Sequence, residues 1–260
     1  MPATPPADVP AAMLLGQRIA SVERRGKQLI LRAVSGRAIG IHLGMTGQCL
    51  MLREGEEPKQ SDHIHMRWQL VDDSAVDGSR SAAEVAKAAP TAELLFRDPR
   101  RFGELRAFAT AAEADGYLAR LGPDALHITG GALYTAVHNS NRAIKAALLD
   151  QAVLAGVGNI YADEALFAAK IRPSAKACRL SRVRLDALAA AIADTLELAV
   201  AAGGSTLRDY LDADGNAGTF LTQHRVYGRG GQACVVCRGV LRQTQVAQRT
   251  TVYCPACQKV

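Results

Sequence analysis

The chain has 260 residues, 48% of them hydrophobic, and a formal net charge of +6. That is enough apolar material to bury a core in each of two compact units, which excludes a disordered chain. The charge calls for a polyanionic partner without choosing among DNA, RNA and anionic lipid. From Phe220 onward lie Arg225, Arg229, Arg238, Arg242, Arg249 and Lys259 and no acidic residue, so the basic excess is confined to the tail. Six cysteines in a chain of this size do not make a secreted disulfide scaffold. The opening "MPATPPADVP" has no basic or apolar signal segment, and the Ala/Leu-rich run from Leu185 to Ala202 is broken by Asp186, Asp194 and Glu197. A cytoplasmic protein that does not span a membrane is expected.

Residues 17–53 alternate in short β-rich runs, "RIASVERR", "KQLILRAV" and "RAIGIHLGM", separated by glycine turns; "DHIHMRWQL" and "AELLFRD" add two more strands. The polar stretch 71–91 between those two reads as an exposed excursion. After "LGPDAL" the period becomes helical. A first helix is expected in "SNRAIKAALLDQ" with Ser140 as its cap, a second in "VGNIYADEALFAAKIRP" ending before Pro173, and a third in "SRVRLDALAAAIADTLELAVAAGG". The third has Ser181 at its cap, Leu180 and Leu185 as a staple, and Gly203 and Gly204 as its stop.

Cys234-x2-Cys237 and Cys254-x2-Cys257 lie sixteen residues apart. Each pair can grip one ion from a tight turn, and the intervening residues suffice for a hairpin that brings the pairs together. Four thiolates close a tetrahedral zinc site and leave no open position, so one structural zinc is expected. Cys49 and Cys178 stand alone and read as ordinary packed thiols.

Seven stretches in order, "RRGK" (24–27), "HLGMTG" (42–47), "DPRRFG" (98–103), "GVGNIYADEALF" (156–167), "GGSTLRDYL" (203–211), "VYGR" (226–229) and "QRTTVYCPACQ" (248–258), resemble the formamidopyrimidine-DNA glycosylase / endonuclease VIII family, its formamidopyrimidine branch in particular. Taken singly, "HLGMTG" reads as a tight turn with a core methionine and "DPRRFG" as a proline turn with surface arginines. The resemblance implies that a damaged nucleotide is extruded from the duplex. Met45 then fills the space, Phe102 wedges the stack and Arg100 hydrogen-bonds the orphaned base. It implies backbone phosphate contacts by Lys27, His42, Asn159 and Arg249, with Asn159 in a helix-two-turn-helix element and Arg249 on a ribbon stiffened by the zinc. The "GGSTLRDYLDADGNAGTF" stretch resembles the family's loop over the flipped base. Glu164 matches a family carboxylate that serves equally as a structural one.

In the family a proline after the initiating methionine attacks the sugar C1′, with a glutamate beside it. Pro2 and Pro5 fit the proline spacing here, but Ala3 stands at the glutamate position and Pro6 where a second glutamate is usual. "RRGK" also comes early, so the family's N-terminal catalytic segment is expected to be missing, with Pro2 an accidental match. The candidate catalytic residues are then Pro2 and Lys27.

The expected fold is α+β in two domains. An N-terminal antiparallel β-sandwich (1–110), incomplete at its start, leads through a linker (111–130) to a helix-two-turn-helix domain with its capping loop (131–222) and a zinc-finger β-hairpin (223–260). The expected protein is a monomeric base-excision repair protein that binds duplex DNA with damaged bases or abasic sites. The family activity is excision of oxidised purines plus abasic-site β-elimination; the alternative is a non-catalytic binder of lesions or bent DNA.

Overall fold

The computed structural model describes residues 13–72, 89–204 and 218–259. Pro2, most of the 71–91 excursion and most of the expected capping loop lie outside them. The described chain divides after Leu118 into two compact units, the second beginning at Ala119.

Among its described residues the first unit has seven strands: β1 (Ile19–Arg25), β2 (Gln28–Ala33), β3 (Ala38–His42), β4 (Gln48–Arg53), β5 (Ile64–Leu70), β6 (Ala92–Arg97) and β7 (Glu104–Phe108). They form two antiparallel sheets, ordered β1-β2-β3-β7 and β4-β6-β5. β5 alternates in burial as a strand with one covered face should. Its Met66 and Trp68 meet Ile39 and Ile41 of β3 and Phe96 of β6, so the sheets close on a shared apolar core as a sandwich. β3 is buried along its length except at His42. Its other side is covered too: helix α1 (Ala111–Leu118), inside the stretch expected as a linker, sets Tyr117 against Phe108 at 5.4 Å between ring centroids.

The second unit contains α2 (Gly130–Val137), α3 (Ile144–Leu149), α4 (Asn159–Ala168), α5 (Arg182–Ala201) and the hairpin β8 (Arg242–Val246) and β9 (Arg249–Tyr253). Ser140 does not cap α3. The helix starts at Ile144 because Ala143, at φ −55° and ψ 139°, is non-helical and bridged to Lys176, and Ile144 N–H is bonded to Ala175 C=O at 2.7 Å. Ser181 does cap α5, its hydroxyl accepting from Arg184 N–H, and Leu180 and Leu185 are both buried as a staple requires. Gly203 and Gly204, both at positive φ, end that helix, with Gly204 N–H bonded back to Ala199 C=O. The period did not reveal α2: Thr129 caps it, and only Leu133 and Val137 are buried from it.

Helices and hairpin belong to the same unit because polar groups are shared between them. Glu164 of α4 accepts three successive backbone N–H groups, from Arg225 (2.9 Å), Val226 (3.0 Å) and Tyr227 (2.8 Å). Gln258 donates to Ile171 C=O at 2.9 Å. Glu164 is thus a structural carboxylate, gathering the donors of "RVY" into a concave nest.

Candidate nucleic-acid interface and metal centre

In the first unit two turns carry apolar side chains into solvent. Between β3 and β4, Leu43 C=O accepts Gly47 N–H at 2.8 Å, closing a five-residue turn with Met45 at its middle. Met45 is 63% exposed, so it is not the core residue of a plain turn. Between β6 and β7, Asp98 C=O accepts Arg101 N–H at 3.3 Å across Pro99, and Arg101 adopts φ 56°. Phe102 follows, 54% exposed, with the Arg100 guanidinium 4.8 Å above its ring centroid. The two turns touch: Gly44 has φ 64°, and a side chain there would run into Phe102 C=O, 2.5 Å from the Cβ position.

Asp98 is 1% exposed and accounts for the shape of the second turn. Its Oδ2 accepts Gly103 N–H at 2.6 Å, and its Oδ1 accepts Arg100 N–H at 3.3 Å and the Thr46 hydroxyl at 2.5 Å. These bonds outweigh the opposing effect of burial and hold its carboxyl below the usual aspartate value. His65 adds a bond from Nε2 to Asp98 C=O at 2.8 Å. Next to it, the buried Arg97 guanidinium is satisfied by Asp62, through both the carboxylate and the backbone carbonyl at 2.9 Å.

Lys27 lies in the turn joining β1 to β2, and His42 ends β3 opposite Gln28. Desolvation pulls the Lys27 ammonium below the usual lysine value although part of the side chain stays open to water. The same effect, reinforced by the charge on Lys27 and opposed by Glu104, holds His42 below the ordinary histidine value.

In the second unit, Asn159 is the first residue of α4, following Gly158 in extended conformation. Gln151 shapes the turn before it, accepting Gly156 N–H at 3.0 Å and donating to Leu149 and Val157 C=O, each at 3.1 Å. The Asn159 amide donates to Thr250 C=O at 3.1 Å. Arg249 is exposed at the start of β9, after a two-residue turn in which Ala247 and Gln248 both have positive φ. That stretch of β9 is held from below by a buried ion pair. Lys145 Nζ and Asp163 Oδ1 are 2.7 Å apart; Nζ also donates to Thr250 C=O at 3.1 Å and the Thr251 hydroxyl at 2.7 Å, and Asp163 accepts Val252 N–H at 3.1 Å. Burial pushes Asp163 up to about 6 and Lys145 down, each toward neutrality, against their mutual attraction.

Cys234, Cys237, Cys254 and Cys257 place their Sγ atoms within 4.8 Å of one another. Tetrahedral zinc with bonds of about 2.3 Å separates sulfurs by about 3.8 Å, and the pairs Cys234–Cys257 at 3.9 Å and Cys237–Cys254 at 3.4 Å straddle that value. The donor set fits one zinc ion, with no ligand position left for chemistry.

The motifs pointed to Met45, Arg100, Phe102, Lys27, His42, Asn159 and Arg249, and each unit carries its own group of them. Sequence reasoning missed the residues beneath: Asp98, Thr46, Gln151, Lys145 and Asp163. Asp98 and Asp163 did lie inside quoted motifs, but a carboxylate in a motif does not announce whether it faces solvent or a row of N–H groups.

Residues 2–105 match the family described as formamidopyrimidine-DNA glycosylase N-terminal domain, 121–210 the formamidopyrimidine-DNA glycosylase H2TH domain, and 231–260 the zinc finger found in FPG and IleRS. The four cysteines are therefore the structural zinc site of that finger. Among curated relatives, the formamidopyrimidine-DNA glycosylase of Halorhodospira halophila is 40% identical over 256 residues, 98% of this chain and 86% of that protein. That of Shewanella halifaxensis is 38% identical over 252 residues, 96% of this chain and 85% of its own length. Among solved structures, the MutM (Fpg) protein of Thermus thermophilus is 38% identical with a TM-score of 0.75, covering 95% of this chain and 85% of that one. The Lactococcus lactis Fpg complex with abasic-site DNA is 27% identical, also with a TM-score of 0.75, covering 94% and 83%. No helix of the described residues is long and apolar enough to cross a membrane. The chain belongs to the formamidopyrimidine-DNA glycosylase family of DNA-repair glycosylases, and its α+β architecture and zinc finger are those of that family.

Proposed function

We propose that the chain binds damaged duplex DNA as a cytoplasmic monomer and swings the lesion nucleotide out of the stack; the family activity, excision of oxidised purines such as 8-oxoguanine and formamidopyrimidines with nicking at the abasic site, needs a proline with a glutamate beside it, where this sequence has Pro2 and Ala3. The observation that carries this reading is the exposure of Met45 and Phe102 on two touching turns, with Arg100 stacked on the phenyl ring. Large apolar side chains held in water by shaped turns lose nothing by entering a gap in stacked bases, and unstacking costs a few kcal/mol that such insertion offsets. Met45 fills the vacated space, Phe102 wedges the neighbouring step, and Arg100 offers donors to the orphaned cytosine. Lys27, His42, Asn159 and Arg249 hold phosphates. Crystal structures of the Lactococcus lactis relative with abasic-site DNA and with Fapy-dG DNA support the choice of partner.

Excision requires an amine to attack the sugar C1′. The base leaves with the bonding electrons and takes up a proton; the amine gives up its proton, the C1′–O4′ bond opens with protonation of O4′, and the resulting iminium permits loss of a C2′ proton and cleavage of the C3′–O bond. Pro2, outside the described residues, offers a secondary amine only once Met1 has been cleaved from it, and Lys27 is the candidate primary one.

Borohydride trapping on an abasic-site duplex tests the chemistry, because only an amine nucleophile leaves a covalent adduct. An adduct establishes that this chain carries a working amine, from Pro2 or Lys27. A chain that prefers abasic over intact duplex yet leaves no adduct is a lesion binder without cleavage, the reading favoured by Ala3 and Pro6 at the family's glutamate positions. Equal affinity for both duplexes overturns both readings.

A further inference from the structure

We infer that Thr46 and Asp98 form a clasp that fixes the Met45 turn and the Phe102 turn in one mutual geometry, making Thr46 a positioning residue for lesion recognition. The inference rests on the proposed roles of Met45 and Phe102. Its geometry is that of a single buried carboxylate serving two loops: Oδ2 takes Gly103 N–H at 2.6 Å, immediately after Phe102, while Oδ1 takes the Thr46 hydroxyl at 2.5 Å, immediately after Met45. Arg100 N–H points to both Asp98 Oδ1 and Thr46 Oγ1, at 3.3 Å each. The residue next to each proposed inserting side chain, and the backbone of the residue proposed to read the orphaned base, thus end on the same two groups.

Thr46 is buried at 3% exposure although it follows the 63% exposed Met45. The turn therefore has an anchored side and a free side. A charge-assisted bond of this length is about twice as strong as a neutral one, and its burial excludes competing water. The close approach at Gly44 and the packing of Gly103, where a Cβ would lie 2.7 Å from the Phe96 ring, leave no room for a side chain at either position. Without the Thr46 hydroxyl, Asp98 still shapes its own turn through Gly103 and Arg100, but the charge-assisted bond that joins it to the turn carrying Met45 is lost. Two wedges that must enter one gap at a fixed spacing then lose their preorganisation.

Thr46→Val removes the hydroxyl at nearly constant volume and Thr46→Ser keeps it. The ratio of affinities for abasic and intact duplex, measured by fluorescence anisotropy, is expected to fall about tenfold in Thr46→Val, the equivalent of one charge-assisted hydrogen bond. Thr46→Ser is expected to restore it, and the salt dependence of binding should stay at its wild-type slope because phosphate contacts are untouched. In a chain already carrying Met45→Ala and Phe102→Ala, Thr46→Val should make no further difference to the ratio, since nothing remains to be positioned. Thr46→Ala gives the same readout should Thr46→Val fold poorly. A wild-type ratio in the hydroxyl-less variants, or an equal fall in the doubly truncated chain, overturns the clasp. If Met45→Ala and Phe102→Ala themselves leave the ratio unchanged, the wedge reading fails instead.

Discussion

Lys145 and Asp163 meet at 2.7 Å with neither side chain exposed at all, on two different helices and beneath the strand that begins with Arg249. Removing one partner strands a buried charge, a loss of about 3–5 kcal/mol. Asp163→Asn and Lys145→Met should each lower the thermal midpoint sharply, whereas combining the two, which leaves no unpaired charge, recovers much of the loss. A double-mutant cycle by denaturant unfolding measures the coupling. Additive effects would mean that the pair contributes nothing as a pair.

Glu164 makes a second such connection. Its carboxylate accepts three N–H groups at once, and a glutamine presents only one oxygen in its place. Glu164→Gln should destabilise the chain by about 2 kcal/mol, the worth of one or two charge-assisted bonds. Thermal unfolding followed by circular dichroism checks this, and an unchanged midpoint would show that the nest persists without the charge.

Arg249 is predicted to act on DNA through charge alone. Arg249→Ala should weaken binding to damaged and intact duplexes alike and reduce the slope of log affinity against log salt by about one. A salt titration of both duplexes provides the reading, and a slope equal to wild type removes Arg249 from the phosphate contacts.

His42 supplies a pH dependence. Burial and the Lys27 charge hold its free pKa below the ordinary histidine value, so the unbound protein carries it neutral near pH 7. A phosphate beside the ring favours the protonated form, raising the pKa in the complex. Binding then takes up a proton, and affinity should strengthen as pH falls from about 7.5 toward 5.5, within the range where histidine titrates. His42→Gln should flatten the profile. Anisotropy titrations at constant ionic strength decide the matter; strengthening that survives the substitution assigns the proton elsewhere.

Zinc removal should unfold the finger. Structural zinc in small fingers contributes on the order of 10 kcal/mol, and Cys234 and Cys254 belong to the apolar cluster that also holds Phe167 of α4. Chelation is therefore expected to lower the thermal midpoint and abolish DNA binding, with re-addition restoring both. Retained binding after verified metal loss would separate the finger from the interface.

Much of this was legible without coordinates. Strands β1, β2, β3, β5 and β6 and helices α4 and α5 follow from hydrophobic period and from local caps such as Ser181, because those signals lie within a few residues of one another. The thiolate spacing made the zinc site legible for the same reason, since each pair bites from one turn. Strand β7 and helices α1 and α2 escaped because their patterns are short, and the Ser140 cap was misread because a pairing with Ala175, far along the chain, starts α3 later.

The chain's own letters determined which residue types can stack, grip phosphate or bind metal, and in what order they come. Tertiary structure alone decided which of them work in the dark: Thr46 meets Asp98 across 52 residues, Asp163 meets Val252 across 89 and Lys145 meets Thr251 across 106. The physical reason is desolvation. A carboxylate or ammonium in sequence carries no mark of its dielectric surroundings, and only the fold, by removing water and supplying distant donors and acceptors, turns it into a fixed point on which the exposed residues depend.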